Sequence, residues 1–442
     1  MSFFGGLFIA RYLTATLCLL VTGPVVAETG QDVRQHVEPV NQGDNARIQS
    51  LEARMAAIED GAQVIQPANR STAAKNSFNP ALSLILNGQY IHYSRSPDED
   101  ALPGFSLGPE AGLDQEGFSL GESEVILSAN TDQHWRGQMT LSLADDQGET
   151  RVEVEEAYIE TLGLGDGLTF RAGRFFSGIG YLNGKHAHAW NFSDAPLVYR
   201  GLMGGQIKQD GLRLNWALPL DKYVELGLEA GNGQGFPAGG SHDGVGDWAV
   251  FVKTGGDIGA SASWQLGLSH YQADAVDGRV ATTHQFSGDS KINGLDLVYK
   301  WSPNGNDTER ALVVQAEYFQ RDEAGQVSSI DGNNLGRSTI DARQEGGYIE
   351  GIYKFRPHWR AGLRYDRLSS DNQGNPINRL QQFGLLDEGH HPHRGSAMLE
   401  WIPSEFSRIR LQYNRDNSVQ ETDHQVIFQY TQALGSHGAH QF

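Results

Sequence analysis

Strict alternation of apolar and polar side chains constrains this chain more than any other feature. The clearest stretch is His134–Phe176, HWRGQMTLSLADDQGETRVEVEEAYIETLGLGDGLTFRAGRFF. Trp135, Gly137, Met139, Leu141 and Leu143 fall on one face of its first strand, and Arg136, Gln138, Thr140 and Ser142 on the other. A period of two is a strand with one apolar and one polar face. A soluble sandwich has the same alternation, so the deciding feature is where the aromatics fall. In a transmembrane barrel the apolar face meets lipid, the polar face lines an aqueous lumen, and aromatic residues ring the band where lipid ends. Trp135 opens its strand just after a turn, in register with the aliphatic residues.

Three bulk properties narrow the class. Beyond the N-terminus no apolar run is long enough for a transmembrane helix, which excludes a helical membrane protein. Disorder is excluded by 10% aromatic residues in regular alternation. The net charge of −20 argues against a nucleic-acid partner and suits cations. Residues 1–27 have the form of a secretory signal peptide. One Arg (Arg11) precedes an apolar stretch from Tyr12 to Val21, and Val25 and Ala27 supply small residues at the cleavage site. Cys18, the single cysteine, falls inside it, so the mature chain has no thiolate for metal binding or disulfides.

Residues 28–77 are expected to be a polar periplasmic segment. Within 47–60, Ile48, Leu51, Met55 and Ile58 follow a 3-4-3 spacing. That spacing makes either a short coiled-coil seam or one amphipathic helix lying on a neighbour. Gly61–Asn76 has the composition of a linker. Residues 78–442 then form an all-β, antiparallel transmembrane barrel of about sixteen strands, in which long connections alternate with short turns. Both chain ends lie on the short-turn side. The long connections include 94–116, 177–210, 231–246, 273–290, 321–344 and 369–394. Trp135, Trp216, Trp264, Trp301, Trp359 and Trp401 all flank short turns and share parity with the aliphatic residues, as an interfacial girdle requires. Val426, Phe428, Tyr430, Leu434 and the terminal Phe442 share parity, and they resemble the aromatic-ended signal recognised by barrel assembly machinery.

Loop 177–210 follows the fifth strand, where general porins place the loop that folds inward. It carries Lys185, His186, His188, Trp190, Asp194, Tyr199 and Arg200. His186 and His188 at i, i+2 would point the same way if extended, and Asp194 would add an oxygen ligand for a divalent metal. The alternative is a hydrogen-bonded loop with solvated histidines. A second metal candidate is His390, His391 and His393 beside Asp387 and Glu388, and His437 with His440 is a third. Lumen-facing charges are expected at Arg171, Arg213, Arg360, Arg364, Arg408, Arg410, Glu122, Glu124, Glu317 and Glu350. There is no HExxH and no nucleophile elbow, so no enzyme activity is expected.

Residues 155–183, EEAYIETLGLGDGLTFRAGRFFSGIGYLN, remotely resemble the phosphate-selective porin O/P group, which implies a sixteen-stranded trimeric barrel. A likeness over nearly the whole mature chain rests on NPALSLILNGQYIHYSR, LPGFSLG, EGFSLGESEVILSAN and HAHAWNFSDAPLVYR. These look like a proteobacterial family labelled zinc-regulated TonB-dependent outer membrane receptor. A TonB-dependent transporter has about 22 strands and a plug. The roughly fifty residues between Glu28 and the first strand are too few for that plug, so the resemblance implies the outer membrane and a link to zinc rather than energised transport. The expected protein is a porin-like channel of the Gram-negative outer membrane for a small hydrophilic solute or ion. It requires no cofactor, takes zinc as cargo or ligand, and has outer-membrane lipid and two further copies of itself as partners. An energised metal receptor and a barrel hydrolase are the alternatives.

Overall fold

A computed structural model of the protein describes residues 80–435, apart from residue 109, 147–148, 241–242, 282–283 and 331–335. The signal peptide, the segment 28–77 with its seam at 47–60, and His437, His440 and Phe442 lie outside the described residues. The strands are β1 (Ala81–Tyr93), β2 in two segments (Gly117–Leu120 and Ser123–Asn130), β3 (Trp135–Asp146), β4 (Glu149–Thr161), β5 (Leu168–Phe176), β6 (Lys208–Ala217), β7 (Tyr223–Gly231) and β8 (Asp247–Ile258). The second half contains β9 (Ala262–Val280), β10 (His284–Trp301), β11 (Ala311–Ser329), β12 (Arg337–Arg356), β13 (Trp359–Gln373), β14 (His393–Ser404), β15 (Ser407–Asn417) and β16 (Asp423–Gly435). A short helix α1 (Ile377–Gln382) sits in the connection after β13.

The 17 hydrogen-bonded segments form one sheet of sixteen strands, because both pieces of β2 pair with β1. Each strand pairs antiparallel with its sequence neighbour, and β1 pairs with β16 in the register Ile91↔Ile427, which closes the barrel. Closure leaves no edge, so lipid meets no unpaired backbone group. The outer face carries exposed aliphatic and aromatic side chains, among them Leu214, Leu268, Leu295, Leu363, Tyr365, Leu411 and Phe428. The six tryptophans stand at the short-turn end of the barrel on that outer parity. Trp359 lies directly opposite Trp401, with ring centroids 6.3 Å apart.

The connections 273–290 and 321–344 are shorter than the sequence suggests. The ladder continues through most of both, so β9 to β12 run 19, 18, 19 and 20 residues. The cause is a change of amphipathicity along each strand. In β12 the outward residues Ile349, Tyr353 and Phe355 are apolar where lipid is met, whereas Thr339, Asp341 and Arg343 on the same face are polar. Beyond the lipid band the apolar residues point inward instead. Ile340 and Ala342 pack there with Phe286, Val327, Leu380, Phe383 and Leu385, under the connection that contains α1. Similarly, β6 begins at Lys208, so the fifth-strand loop spans 177–207.

Leu268 is exposed on the outer face four residues along β9 from Trp264, well inside the lipid band, whereas Leu220 lies in a short turn. Leu268→Arg is expected to cost about 2–4 kcal/mol and Leu220→Arg about 0–1 kcal/mol, read by denaturant titration of the barrel in lipid vesicles. Equal costs at the two positions would contradict this placement of the membrane.

Candidate functional site in the barrel lumen

Loop 177–207 folds into the lumen and is tied to the wall along its length. Its start is held by Glu229 on β7, which accepts from Ser177 Oγ at 2.5 Å and Gly178 N at 2.8 Å, and from Arg213 Nε at 2.6 Å. Glu317 on β11 then accepts from Tyr181 N at 2.6 Å and from the hydroxyl of Tyr199, while Tyr348 donates to it from β12. A π-helical turn, Tyr199–Met203, is wholly buried. It packs with Ile179, Leu182, Trp190 and Leu197 of the loop and with Leu102 and Phe105 of connection 94–116 against Tyr271, Ile292, Phe319 and Leu368 of the wall. The lumen at this level therefore holds an apolar core as well as charges.

Between those anchors the loop is strung across two walls of opposite charge. On the basic wall, arginines donate to loop carbonyls. Arg408 reaches His188 O at 2.5 Å, Arg410 reaches Trp190 O at 2.8 Å, and Arg394 reaches Ala195 O at 2.6 Å. Arg364 and Arg394 also grip the Asp194 carboxylate at 2.7 and 2.9 Å, and Gln412 and Asn414 donate to it. Arg360 and Arg410 pair with the buried Glu400. Glu350 accepts from Asn191 at 2.7 Å. Arg200 pairs with Asp100 and donates to Ala111 O, which draws connection 94–116 onto the loop.

The acidic wall is made by β2 and β4, and two bulges aim it. Along β1, Leu86 and Asn87 stand opposite three residues, Gly121–Ser123, so β2 carries one extra residue just before Glu124. On β4, Thr140 pairs with Glu156 and Leu141 with Val154, which leaves Glu155 as the inserted residue. A bulge lets two consecutive side chains face the same way, and Glu155 and Glu156 are both buried on the lumen side. Between the two strands β3 presents the small residues Thr140 and Ser142 beside the carboxylates, and Gln138 on the same face donates to Glu156 Oε2 at 3.3 Å.

His186 enters this space. Its Nδ1 lies 3.1 Å from Glu155 Oε2 and 3.3 Å from Glu124 Oε2, and its Nε2 lies 3.0 Å from Glu156 Oε2. His188 Nδ1 lies 2.5 Å from Glu124 Oε1, and the two imidazoles stack with centroids 5.7 Å apart. Burial by itself opposes a charge on His186, whereas Glu124, Glu155 and Glu156 favour it and raise its pKa well above 6.5. For Asp194, burial pushes the carboxyl up, and Arg364 and Arg394 overcome it to hold the group below the ordinary 3.8.

The histidine pair that the sequence singles out is therefore in the lumen, but Asp194 is not its third ligand. Six residues further along the loop, Asp194 has crossed to the arginine wall. Among the described residues, the three side chains whose donor atoms gather within 4.8 Å of one another are Glu124, Glu155 and His186. Sequence reading missed Glu155 and Glu156, although the adjacent acids do shift the phase of VEVEEAYIE from Val152 and Val154 to Ala157 and Ile159. His390, His391 and His393 do not converge. His390 Nε2 meets Asn417 O at 2.9 Å, His393 Nδ1 meets His391 O at 3.0 Å, and His391 stands 3.9 Å from Asp387. Of the remaining expected lumen charges, Arg171 pairs with Glu160 at 2.5 Å and Glu122 hydrogen-bonds Glu155, while the loop residue Lys185 caps the Tyr181 ring at 3.8 Å. Trp190 donates to Lys185 O at 2.9 Å.

The closed sixteen-strand barrel with an inward loop has the fold of the outer-membrane porins. The outer membrane channel DcaP of Acinetobacter baumannii matches it with a TM-score of 0.52 at 12% identity, over 80% of this chain and 97% of that one. OprB of Pseudomonas putida gives 0.49 at 14% identity, over 80% and 94%. In sequence, the chain is 30% identical over 409 residues to an uncharacterized protein of Aquifex aeolicus strain VF5, covering 84% of this chain and 82% of the relative, and it belongs to the same family as that protein. No model of a known protein family matches it.

Because its folded pKa is lowered, the Asp194 carboxylate contributes stability above the ordinary aspartate value and loses it only as pH falls through the lowered one. Cleavage of loop 177–207 by pepsin should stay negligible at about pH 4 and rise only toward pH 2. Asp194→Asn should remove roughly 2–3 kcal/mol of local stability and give cleavage already at about pH 4. Equal cleavage of both proteins at that pH would show that Asp194 does not hold the loop.

Proposed function

We propose that this protein is a passive outer-membrane channel for a small hydrophilic solute or ion, narrowed by loop 177–207, with divalent metal and zinc foremost as its cargo. The observation that carries this reading is the loop itself, drawn into a sixteen-strand barrel and stretched between a wall of carboxylates and a wall of arginines. Opposed charges across a narrow lumen orient and select passing ions. The metal preference rests on the imidazole and carboxylate groups at the acidic wall, and the sequence likeness to zinc-regulated receptors agrees with it. Assembly as a trimer fits the barrel class. The energised-receptor alternative expects about 22 strands around a plug, whereas this barrel closes with sixteen.

A hydrolase would need an accessible nucleophile. Ser106 Oγ lies 2.7 Å from His284 Nε2, but Ser106 is 3% exposed, so a substrate has no approach, and the contact serves to tie connection 94–116 to β10.

Single-channel recording in a planar bilayer tests the proposal. Steady conductance without an energy source is expected, with a reversal potential that favours cations across a salt gradient. Arg408→Ala together with Arg410→Ala removes two ties on the loop and is expected to raise conductance and its fluctuation. No conductance under any ionic condition would overturn the channel.

A further inference from the structure

Glu124, Glu155, Glu156 and His186 have a geometry that channel selectivity alone does not require. The two carboxylate oxygens facing His186 Nδ1 lie 3.1 and 3.3 Å from it. Ligands held about 2.0 Å from a metal in a tetrahedral shell stand about 3.3 Å apart. Glu124 is fully buried, and its Oε2 accepts no hydrogen bond. The groups behind the three ligand atoms are those that would orient them. Glu156 faces His186 Nε2 at 3.0 Å, so an N–H there would fix the ring with Nδ1 turned inward, and His188 Nδ1 holds the other oxygen of Glu124 at 2.5 Å. The strong cations nearby each have a carboxylate outside the cluster, Glu160 for Arg171 and Glu110 for Lys208, and act on Glu156 and Glu155 from the side. Glu122 hydrogen-bonds Glu155, so four carboxyl groups and two imidazoles share this space of low dielectric and the acids outnumber the rings.

We propose that Glu124 Oε2, Glu155 Oε2 and His186 Nδ1 form a binding site for one first-row divalent metal ion, such as zinc or manganese, with Glu156 and His188 as positioning residues and the fourth coordination place left to water or a passing ligand. The imidazole nitrogen favours first-row ions over magnesium and calcium, which take oxygen ligands. On binding, the ion takes the place of the proton on Nδ1. The site joins β2 and β4 to the loop, so an ion there ties the loop to the acidic wall. The proposal deepens the channel reading by naming where its cargo is held, but binding can be measured on a barrel that conducts nothing.

The test is titration of the full chain, refolded in detergent, with cobalt(II) followed by visible absorption, and with zinc as competitor. One ion per chain is expected, displaced by zinc and only weakly by calcium or magnesium. Glu155→Gln and His186→Ala should each weaken binding at least about tenfold, and Glu156→Gln about ten- to a hundredfold at unchanged stoichiometry. Replacing His390, His391 and His393 by Ala should leave it unchanged. Heat-modifiable electrophoretic mobility checks that each variant is folded, and the isosteric Gln variants keep the test valid if His186→Ala is not. Absence of saturable binding by the unaltered chain, or binding of equal strength after Glu155→Gln and His186→Ala are combined, would overturn the proposal. Binding without conductance would leave this site standing and remove the channel, and conductance without binding would do the reverse.

Discussion

Every backbone N–H and C=O that enters lipid must find its partner within the protein. That requirement closes the sheet on itself through β1 and β16. Closure then dictates side-chain geometry, since each strand can only alternate between lipid and lumen. A single inserted residue reverses which residues face inward beyond it. The extra residues at Gly121–Ser123 and Glu155 use this consequence. They break the alternation where β2 and β4 flank the small residues of β3, and they concentrate carboxylates in one place without opening the ladder elsewhere.

A loop inside a barrel meets the same accounting problem as the strands, without a ladder to solve it. Loop 177–207 contains little regular structure, yet much of it is buried, so its carbonyls need donors from outside. Arg408, Arg410, Arg394 and Arg321 supply them, to His188, Trp190, Ala195 and Leu202. Burying so many guanidinium groups is costly, and ion pairs in an interior contribute little net stability beside well-packed apolar residues. Their use here is positional. A guanidinium satisfies a carbonyl and a carboxylate together, as Arg394 does with Ala195 O and Asp194, so the same wall fixes both the path of the backbone and the charge it presents.

The barrel was legible in the sequence because its signal is local. Alternation, the turn that ends a strand and the parity of each tryptophan with its neighbouring aliphatic residues can all be read within the length of one strand. The errors at 273–290 and 321–344 have a physical source. Alternation marks a strand only while one face is apolar and the other polar in the same sense, and β9 to β12 reverse that sense where they leave the lipid. His186 and His188 were legible as a pair, but their partners were not. Asp194 is close in sequence and far in space, whereas Glu124 and Glu156 lie 62 and 30 positions from His186 in sequence and meet it through barrel closure and two bulges. The break in phase at Glu155 was the one trace of that arrangement in the sequence.

The two walls hold the loop in different ways. Guanidinium groups stay charged across the pH range, so the ties that the basic side makes to backbone carbonyls do not depend on a titrating partner. On the acidic side the grip is through two imidazole side chains, His186 on Glu124, Glu155 and Glu156 and His188 on Glu124. A loop tied mainly through its backbone at one wall and through side chains at the other is held by two chemically different means. The two kinds of tie meet within the loop, since Arg408 holds the His188 carbonyl while Glu124 meets its ring, and Asp194, Leu197 and Tyr199 are anchored by Arg364, Asp366 and Glu317.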